Sequence, residues 1–206
     1  MIAKARRHIG IYGGSFDPIH LGHLIIAQDC LEQLNLDEVV LVPAAASPLK
    51  SRSPIVSDEH RLEMARKAVE SIAHFSVSDV EIRRGGVSYS IDTVAAFRKM
   101  HPDAVLYWIL GQDQVNQLEH WYSIEELAQN VTFLAVGRPG YELDDVSDGR
   151  IEVTHVKSHA VEISSTEIRE RFKHDLPNDL FLPTSVLAYI RQNGLYHVEA
   201  NENTDK

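Results

Sequence analysis

One stretch near the start of the chain limits what it can fold into more than any other: residues 9–24, IGIYGGSFDPIHLGHL. Ile9 to Tyr12 predicts a short apolar strand, Gly13 and Gly14 predict a sharp turn whose backbone can approach a ligand, and a helix opens near His20. Pro18 suits the approach to a helix and would break its interior. His20 and His23, three residues apart, share one helix face close to its N-terminus. Unpaired N–H groups and the positive end of the helix dipole favour an anion there. Two imidazoles add donors that can follow charge as it moves among phosphate oxygens. A lone His-x-x-His is more often a pair of surface or satisfied histidines; the combination with the strand and the glycines is what points to a phosphate site.

Strands and helices alternate from here with short links. Strands are predicted at 39–43, 75–82, 104–110, 131–136 and 151–156. Helices are predicted at 21–34, at 58–72, from the 83–93 loop to Met100, from Ser123, from Ser164 and at 184–194. VVLVP and AVLYWIL are continuous apolar runs, as in strands covered on both faces. FSVSDVEI alternates, as in a strand with one wet face. Ser57 reads as an N-cap, Ser123 to Glu126 and Ser164 to Glu167 read as capping boxes, and Gly194 closes the last helix. The pattern predicts an α/β fold, a Rossmann-like doubly wound parallel sheet with right-handed crossovers, forming a single domain over 1–206. Ligands of such sheets bind at the carboxyl ends of strands, at the switch point. GGSF, GQD and GRPG each follow a predicted strand, which places Gly13, Gly14, Ser15, Phe16, Gly111, Asp113 and Arg138 along one crevice.

Composition narrows the partners. The 206 residues carry 20 Lys and Arg against 30 Asp and Glu, a formal charge of −10, which argues against nucleic acid and anionic membranes as partners. The single cysteine, Cys30, excludes an intrachain disulfide and a cysteine metal cluster, and its apolar helical setting reads as a small buried hydrophobe. The basic start MIAKARRHIGIY has no long apolar run behind it, so a cytoplasmic protein without a signal peptide or membrane span is expected. The acidic loop 141–150 is expected to be mobile and the tail from about 198 to be disordered. The oligomeric state stays open, a homo-oligomer included.

The string GGSFDPIHLGH resembles the signature of the nucleotidylyltransferase superfamily, whose His-x-Gly-His element is shared with class I aminoacyl-tRNA synthetases. ISSTEIR at 163–169 is by itself an ordinary capped helix start; beside the first motif it is similar to the superfamily element that holds ATP phosphates, implicating Ile163, Ser164, Ser165, Thr166 and Arg169. From about residue 8 to 197 the chain resembles bacterial nicotinate-nucleotide adenylyltransferases, through GGSFDPIHLGHL, PAAASPLK, SYSIDT, GQD, HWYSIEEL, GRPG, ISSTEIR and LPTSVLAYIRQNGLY. Three positions depart from that pattern: Ser15 and Ser90 stand where Thr is common, and Ser47-Pro48-Leu49-Lys50 lacks the usual His or second Pro ahead of its basic residue. The resemblance implies transfer of AMP from ATP to nicotinate mononucleotide, giving deamido-NAD and pyrophosphate.

Such a reaction needs no protein nucleophile, because the mononucleotide phosphate is already ionised and attacks the α-phosphorus in line. Catalysis is alignment plus charge stabilisation, for which His20, His23, Lys50 and Arg169 are the candidates. Asp113 suits ribose hydroxyls and Arg138 the mononucleotide phosphate. Trp121 offers a flat face to a pyridine ring, although an aromatic core residue is the blander reading. The Tyr122 backbone and the loop holding Ser90 and Thr93 offer N–H groups to a carboxylate. No carboxylate cage is evident, so Mg²⁺ is expected to arrive on the ATP phosphates with no protein metal site. The rival readings are an adenylyltransferase for nicotinamide mononucleotide or phosphopantetheine, and a nucleotide-binding regulator without catalysis.

Overall fold

The structure, a computed structural model, describes residues 6–46, 53–137, 151–159 and 161–197, apart from the side chains of Gln112 and Asp113. Its core is one six-stranded sheet built from β1 (His8–Gly14), β2 (Glu38–Pro43), β3 (Phe75–Val77), β4 (Val105–Gly111), β5 (Thr132–Gly137) and β6 (Val153–Lys157). The spatial order is β3-β2-β1-β4-β5-β6 and every neighbouring pair is parallel. This is the doubly wound order, and its switch point falls between β1 and β4.

The continuous apolar runs follow from burial on both faces. Val39 and Leu41 of β2 enter one core, where α1 (Leu21–Gln33), α2 (Asp58–Val69), α7 (Ser165–Lys173) and α8 (Thr184–Gln192) lie. Val40 and Val42 enter the opposite core with α4 (Ser90–Met100), α5 (Gln112–Val115) and α6 (Ile124–Ala128). Ile109 and Leu134 take the first face and Trp108, Leu110 and Phe133 the second. Cys30 is fully buried on α1, where burial and then the neighbouring Asp29 charge push its thiol up to about 12, so it packs as a hydrophobe. Gly194 has φ +60 just after α8, the left-handed conformation of a helix-closing glycine. Among the described residues, no helix is long and apolar enough to cross a membrane.

Three local readings need correction. The strand expected at 75–82 is only β3, and the chain then turns into a short helix, α3 (Val80–Arg84). Ser78 Oγ accepts from the Val80 N–H, and Glu81 faces inward to meet Thr93, so turn chemistry and a buried polar partner override the alternation. The helix expected to follow the 83–93 loop already starts at Ser90. Ser123 does not cap its helix through its side chain, because it sits in the left-handed region at φ 51. The expected loops at 47–52 and 138–150 and the tail lie outside the described residues.

Leu134 is fully buried at the centre of β5. Leu134→Ala should lower unfolding free energy by about 2–5 kcal/mol, measured by urea denaturation, through lost transfer energy and a residual cavity.

Candidate active site

Gly13 and Gly14 are the last residues of β1, paired with Val42 and Pro43 of β2, so the turn comes after them and not at them. They are small for packing reasons. A Cβ on Gly13 would lie 3.1 Å from the Trp108 ring, and one on Gly14 would lie 2.9 Å from Phe16. Phe16 itself is buried with φ 47, its ring edge-on to Tyr12 and His23. The loop then reaches Pro18 through a cis peptide bond after Asp17.

His20 is the N-cap of α1 and His23 stands in its first turn, their rings stacked with centroids 3.7 Å apart. The His20 N–H donates to His23 Nδ1 at 3.2 Å, which leaves the ring proton of His23 on Nε2. The Leu21 N–H donates to the Phe181 carbonyl at 2.9 Å and the His23 N–H to the His20 carbonyl at 3.0 Å. The helix start therefore carries the stacked imidazoles, with these two backbone donors already engaged. Gly22 serves the histidine pair, since a Cβ there would come within 3.1 Å of His20 Nδ1 and 3.5 Å of Ile163 Cβ. His20 Nδ1 is buried without a hydrogen bond, and burial drops its pKa from 6.5 to about 4, so the ring is neutral at pH 7.

Asp17 ties this loop to distant segments. Its carboxylate accepts from Tyr196 Oη at 2.8 Å and from the Ile55 N–H at 2.8 Å, and its carbonyl accepts from Arg169 Nη1 at 2.7 Å. Burial, the Asp17 charge and this hydrogen bond all push the Tyr196 hydroxyl well above its ordinary value, so it remains the donor. Arg169 Nη2 also donates to Thr166 Oγ1 at 3.1 Å. Ser165 Oγ donates to the Pro18 carbonyl at 2.9 Å, and Ser164 Oγ accepts from the Glu167 N–H, so the start of α7 is fastened to the signature loop. The fully buried Arg61 donates to the Ser15 carbonyl at 2.7 Å and pairs with Asp58 at 2.5 Å. Asp29, buried on α1, accepts from Ser158 Oγ and the His159 N–H, both at 2.9 Å, and holds the chain leading towards α7.

The structure thus brings together Gly13, Gly14, Ser15, Phe16, His20, His23, Ser164, Ser165, Thr166 and Arg169, with Ile163 against Gly22. Gly111 ends β4, beside β1 at the switch point. On the other wall, Ser90 opens α4 and the Tyr89 and Tyr122 rings meet at 4.6 Å. Thr93 is fully buried, so its hydroxyl faces Glu81 and not the crevice, contrary to a direct substrate contact. Trp121 packs edge-on to both Trp108 and Phe133, as the core reading expects, and its Nε1 is buried without a partner. Lys50, Arg138 and the side chain of Asp113 lie outside the described residues. Sequence reading passed over Asp17, Asp29, Arg61, Glu81 and Tyr196; Asp17 and Tyr196 stood inside the quoted motifs, but neither has a local pattern that reveals its partner.

A histidine that stays neutral in the fold and charges in the unfolded chain makes stability fall with acid. Between pH 6.5 and 4 the unfolded state binds the proton and the native state does not, so stability rises with pH across this window. His20→Gln should remove on the order of 3 kcal/mol of this dependence, because each pH unit between the unfolded and native titrations is worth about 1.36 kcal/mol. Denaturation at pH 7 and pH 4.5 measures it.

The chain matches the cytidylyltransferase-like family over residues 11–171. A relative from Opitutus terrae named "Probable nicotinate-nucleotide adenylyltransferase" is 47% identical over 91% of this chain and 97% of its own. One of the same name from Bacillus cereus is 43% identical over 92% and 98%. Among solved structures, the Plasmodium falciparum nicotinic acid mononucleotide adenylyltransferase complexed with NaAD superposes with a TM-score of 0.75 at 23% identity, covering 93% of this chain and 98% of that one. That likeness concerns the fold; the sequence relatives and the family match carry the assignment, and this chain is a member of the nicotinate-nucleotide adenylyltransferase family.

Proposed function

We propose that the chain transfers the AMP unit of ATP to nicotinate mononucleotide, releasing pyrophosphate and forming deamido-NAD, a step of NAD biosynthesis. The observation that carries this reading is the stacked His20–His23 pair at the switch point, with Arg169 fastened to the same loop. The mononucleotide phosphate attacks the α-phosphorus of ATP and the bond to the pyrophosphate breaks on the opposite side. No proton has to leave the nucleophile. His20, His23 and Arg169, joined by Lys50, bind the α-phosphate and the leaving pyrophosphate. Gly13, Gly14, Ser15, Phe16, Gly111, Asp113, Ile163, Ser164, Ser165 and Thr166 shape the ATP seat, with Asp113 on the ribose.

The acceptor lies between Ser90, Trp121 and Tyr122, with Thr93 supporting the wall from behind, and Arg138 is the candidate for its phosphate. ATP chemistry in this family calls for a divalent cation. Among the described residues no group of three or more His, Cys, Asp or Glu is placed to hold one, and the Asp17 oxygens already accept from Tyr196 and Ile55. We expect Mg²⁺ to enter on the ATP phosphates with water around it, where it would neutralise phosphate charge.

His20→Ala or His23→Ala should each lower turnover at least roughly a hundredfold, the scale for losing a preorganised donor, in a pyrophosphate-release assay; near-normal rates in both would remove the histidines from the mechanism. Substrate identity is tested by comparing nicotinate and nicotinamide mononucleotides. The carboxylate accepts from a donor-lined site, whereas the amide turns its own NH₂ on one donor and leaves both unpaired, costing about 1–3 kcal/mol. The acid should therefore be favoured roughly tenfold to a hundredfold in kcat/KM, and equal efficiency would make the enzyme dual-specific.

A further inference from the structure

We infer that Glu81 is a positioning residue of the acceptor wall, locking residues 44–46 beyond β2 and residues 87–89 ahead of α4 into one unit. This rests on the proposed placement of the mononucleotide against that wall. Glu81 belongs to the short helix α3 and is 3% exposed, a setting in which a carboxylate is rarely kept unless partnered. Its partners are hydroxyls on two different segments. Thr93 Oγ1, in the first turn of α4, donates to Glu81 Oε1 at 2.5 Å, and the Ser88 hydroxyl also bonds to the carboxylate. Burial raises the Glu81 pKa, while Ser88, Thr93 and the Arg84 and Arg61 charges act to lower it.

Ser88 carries the link onward. Its Oγ accepts from the Ala45 N–H at 3.0 Å, and its own N–H donates to the Ala46 carbonyl at 2.8 Å. The segment between Glu81 and Ser88 has little stiffness of its own. Gly85 and Gly86 follow one another at φ +67 and +71, exposed, and a Cβ on either would meet nothing within 4 Å. The bonds at Ser88 therefore decide where residues 87–89 point. Tyr89, next in the chain, rests its ring on Tyr122, so the same anchor reaches the loop that carries Trp121. A carboxylate that touches no substrate thus joins three loops around the proposed acceptor, while the proposed ATP side has bonds of its own through Asp17, Arg61 and Asp29; the two sides meet where the Ala44 N–H donates to the Gly14 carbonyl at 2.9 Å and through the Arg61 charge that reaches Glu81.

The test is steady-state kinetics of the full chain with Glu81→Gln and Ser88→Ala, varying each substrate in turn, together with amide hydrogen exchange. Glu81→Gln keeps the volume and puts an NH₂ against a hydroxyl. KM for the mononucleotide should rise about tenfold while KM for ATP stays within twofold. Exchange at the Ala45 and Ser88 amides should speed up at least tenfold, with β1 amides unchanged. Ser88→Ala, which leaves the Thr93 bond in place, should reproduce most of the KM effect, and the double variant should add little to either single one. A merely structural carboxylate would instead raise both KM values together or lower only the melting temperature, and either result overturns the proposal. If Glu81→Gln does not fold, an unchanged mononucleotide KM in Ser88→Ala overturns it alone. Exchange needs no acceptor, so it judges the Glu81 link even if wild-type turnover were to reject nicotinate mononucleotide.

Discussion

The bonds made by Asp17 are the constraint on which the site depends. The signature loop must leave β1 and reach the start of α1 in six residues, and its conformation is not one that the chain prefers: Phe16 sits at φ 47, which for a bulky residue costs on the order of 1–3 kcal/mol. Such a turn persists only when its surroundings over-determine it. Asp17 supplies that, with Tyr196 from the end of the chain, the Ile55 N–H and Arg169 all converging on one residue. Arg61 adds a second hold on the Ser15 carbonyl from the buried side. Four segments far apart in sequence thereby fix the position of His20 relative to Arg169. Removing the Asp17 carboxylate would strand a buried phenol and a backbone N–H together, a larger loss than that of any one bond.

Much of this architecture can be read from residues alone. VVLVP and AVLYWIL are apolar at every position because helices cover both faces of the sheet, and that double burial made the parallel order legible. The histidine pair was legible because an N-cap residue and the residue three positions on meet over the first turn of a helix, where the His20 N–H bonds His23 Nδ1 and the rings stack. FSVSDVEI misled because period two is satisfied equally by a strand and by a three-residue strand that turns into a helix whose one acidic residue is buried. Gly13, expected to let a ligand approach, is small for the Trp108 ring, and Gly22 accommodates the His20 ring, neither contact visible without the third dimension. Asp17, Arg61, Glu81 and Tyr196 were illegible for a deeper reason. A buried polar residue is explained by its partner, and these partners lie up to 179 positions away.

The two walls of the crevice are built on different physical logic. The side proposed to seat ATP is a set of bonds from fixed charges and hydroxyls to backbone carbonyls: Arg169 to Asp17, Arg61 to Ser15, Ser165 to Pro18. Charge-assisted bonds to main chain are stiff and leave little freedom in the loop. The wall proposed for the acceptor relies on flexible glycines, aromatic contacts and one carboxylate that gathers two hydroxyls. A stiff donor side beside a wall hung on a single node suits a site that must hold the polyphosphate in one geometry while admitting a second nucleotide.

The protonation state of the histidines bears on how such a site can release what it binds. The chain carries a net charge of −10, yet under the proposed reaction it must gather two anionic nucleotides. Two imidazolium groups at the signature would bind ATP, product and pyrophosphate alike, and uniform binding of that kind lowers KM without raising kcat. Burial instead keeps His20 neutral, with its pKa near 4. A neutral N–H donor interacts weakly with a phosphate oxygen in the ground state and more strongly as negative charge builds on that oxygen. Under the proposed reaction its contribution is concentrated in the transition state, and the pyrophosphate, once formed and solvated, is not held by two full charges. The fixed cation Arg169 is itself half-satisfied by the Asp17 carbonyl and Thr166, which moderates its grip in the same direction. The burial that makes His20 costly to the fold at low pH is on this argument the same property that makes it selective for the moment of transfer.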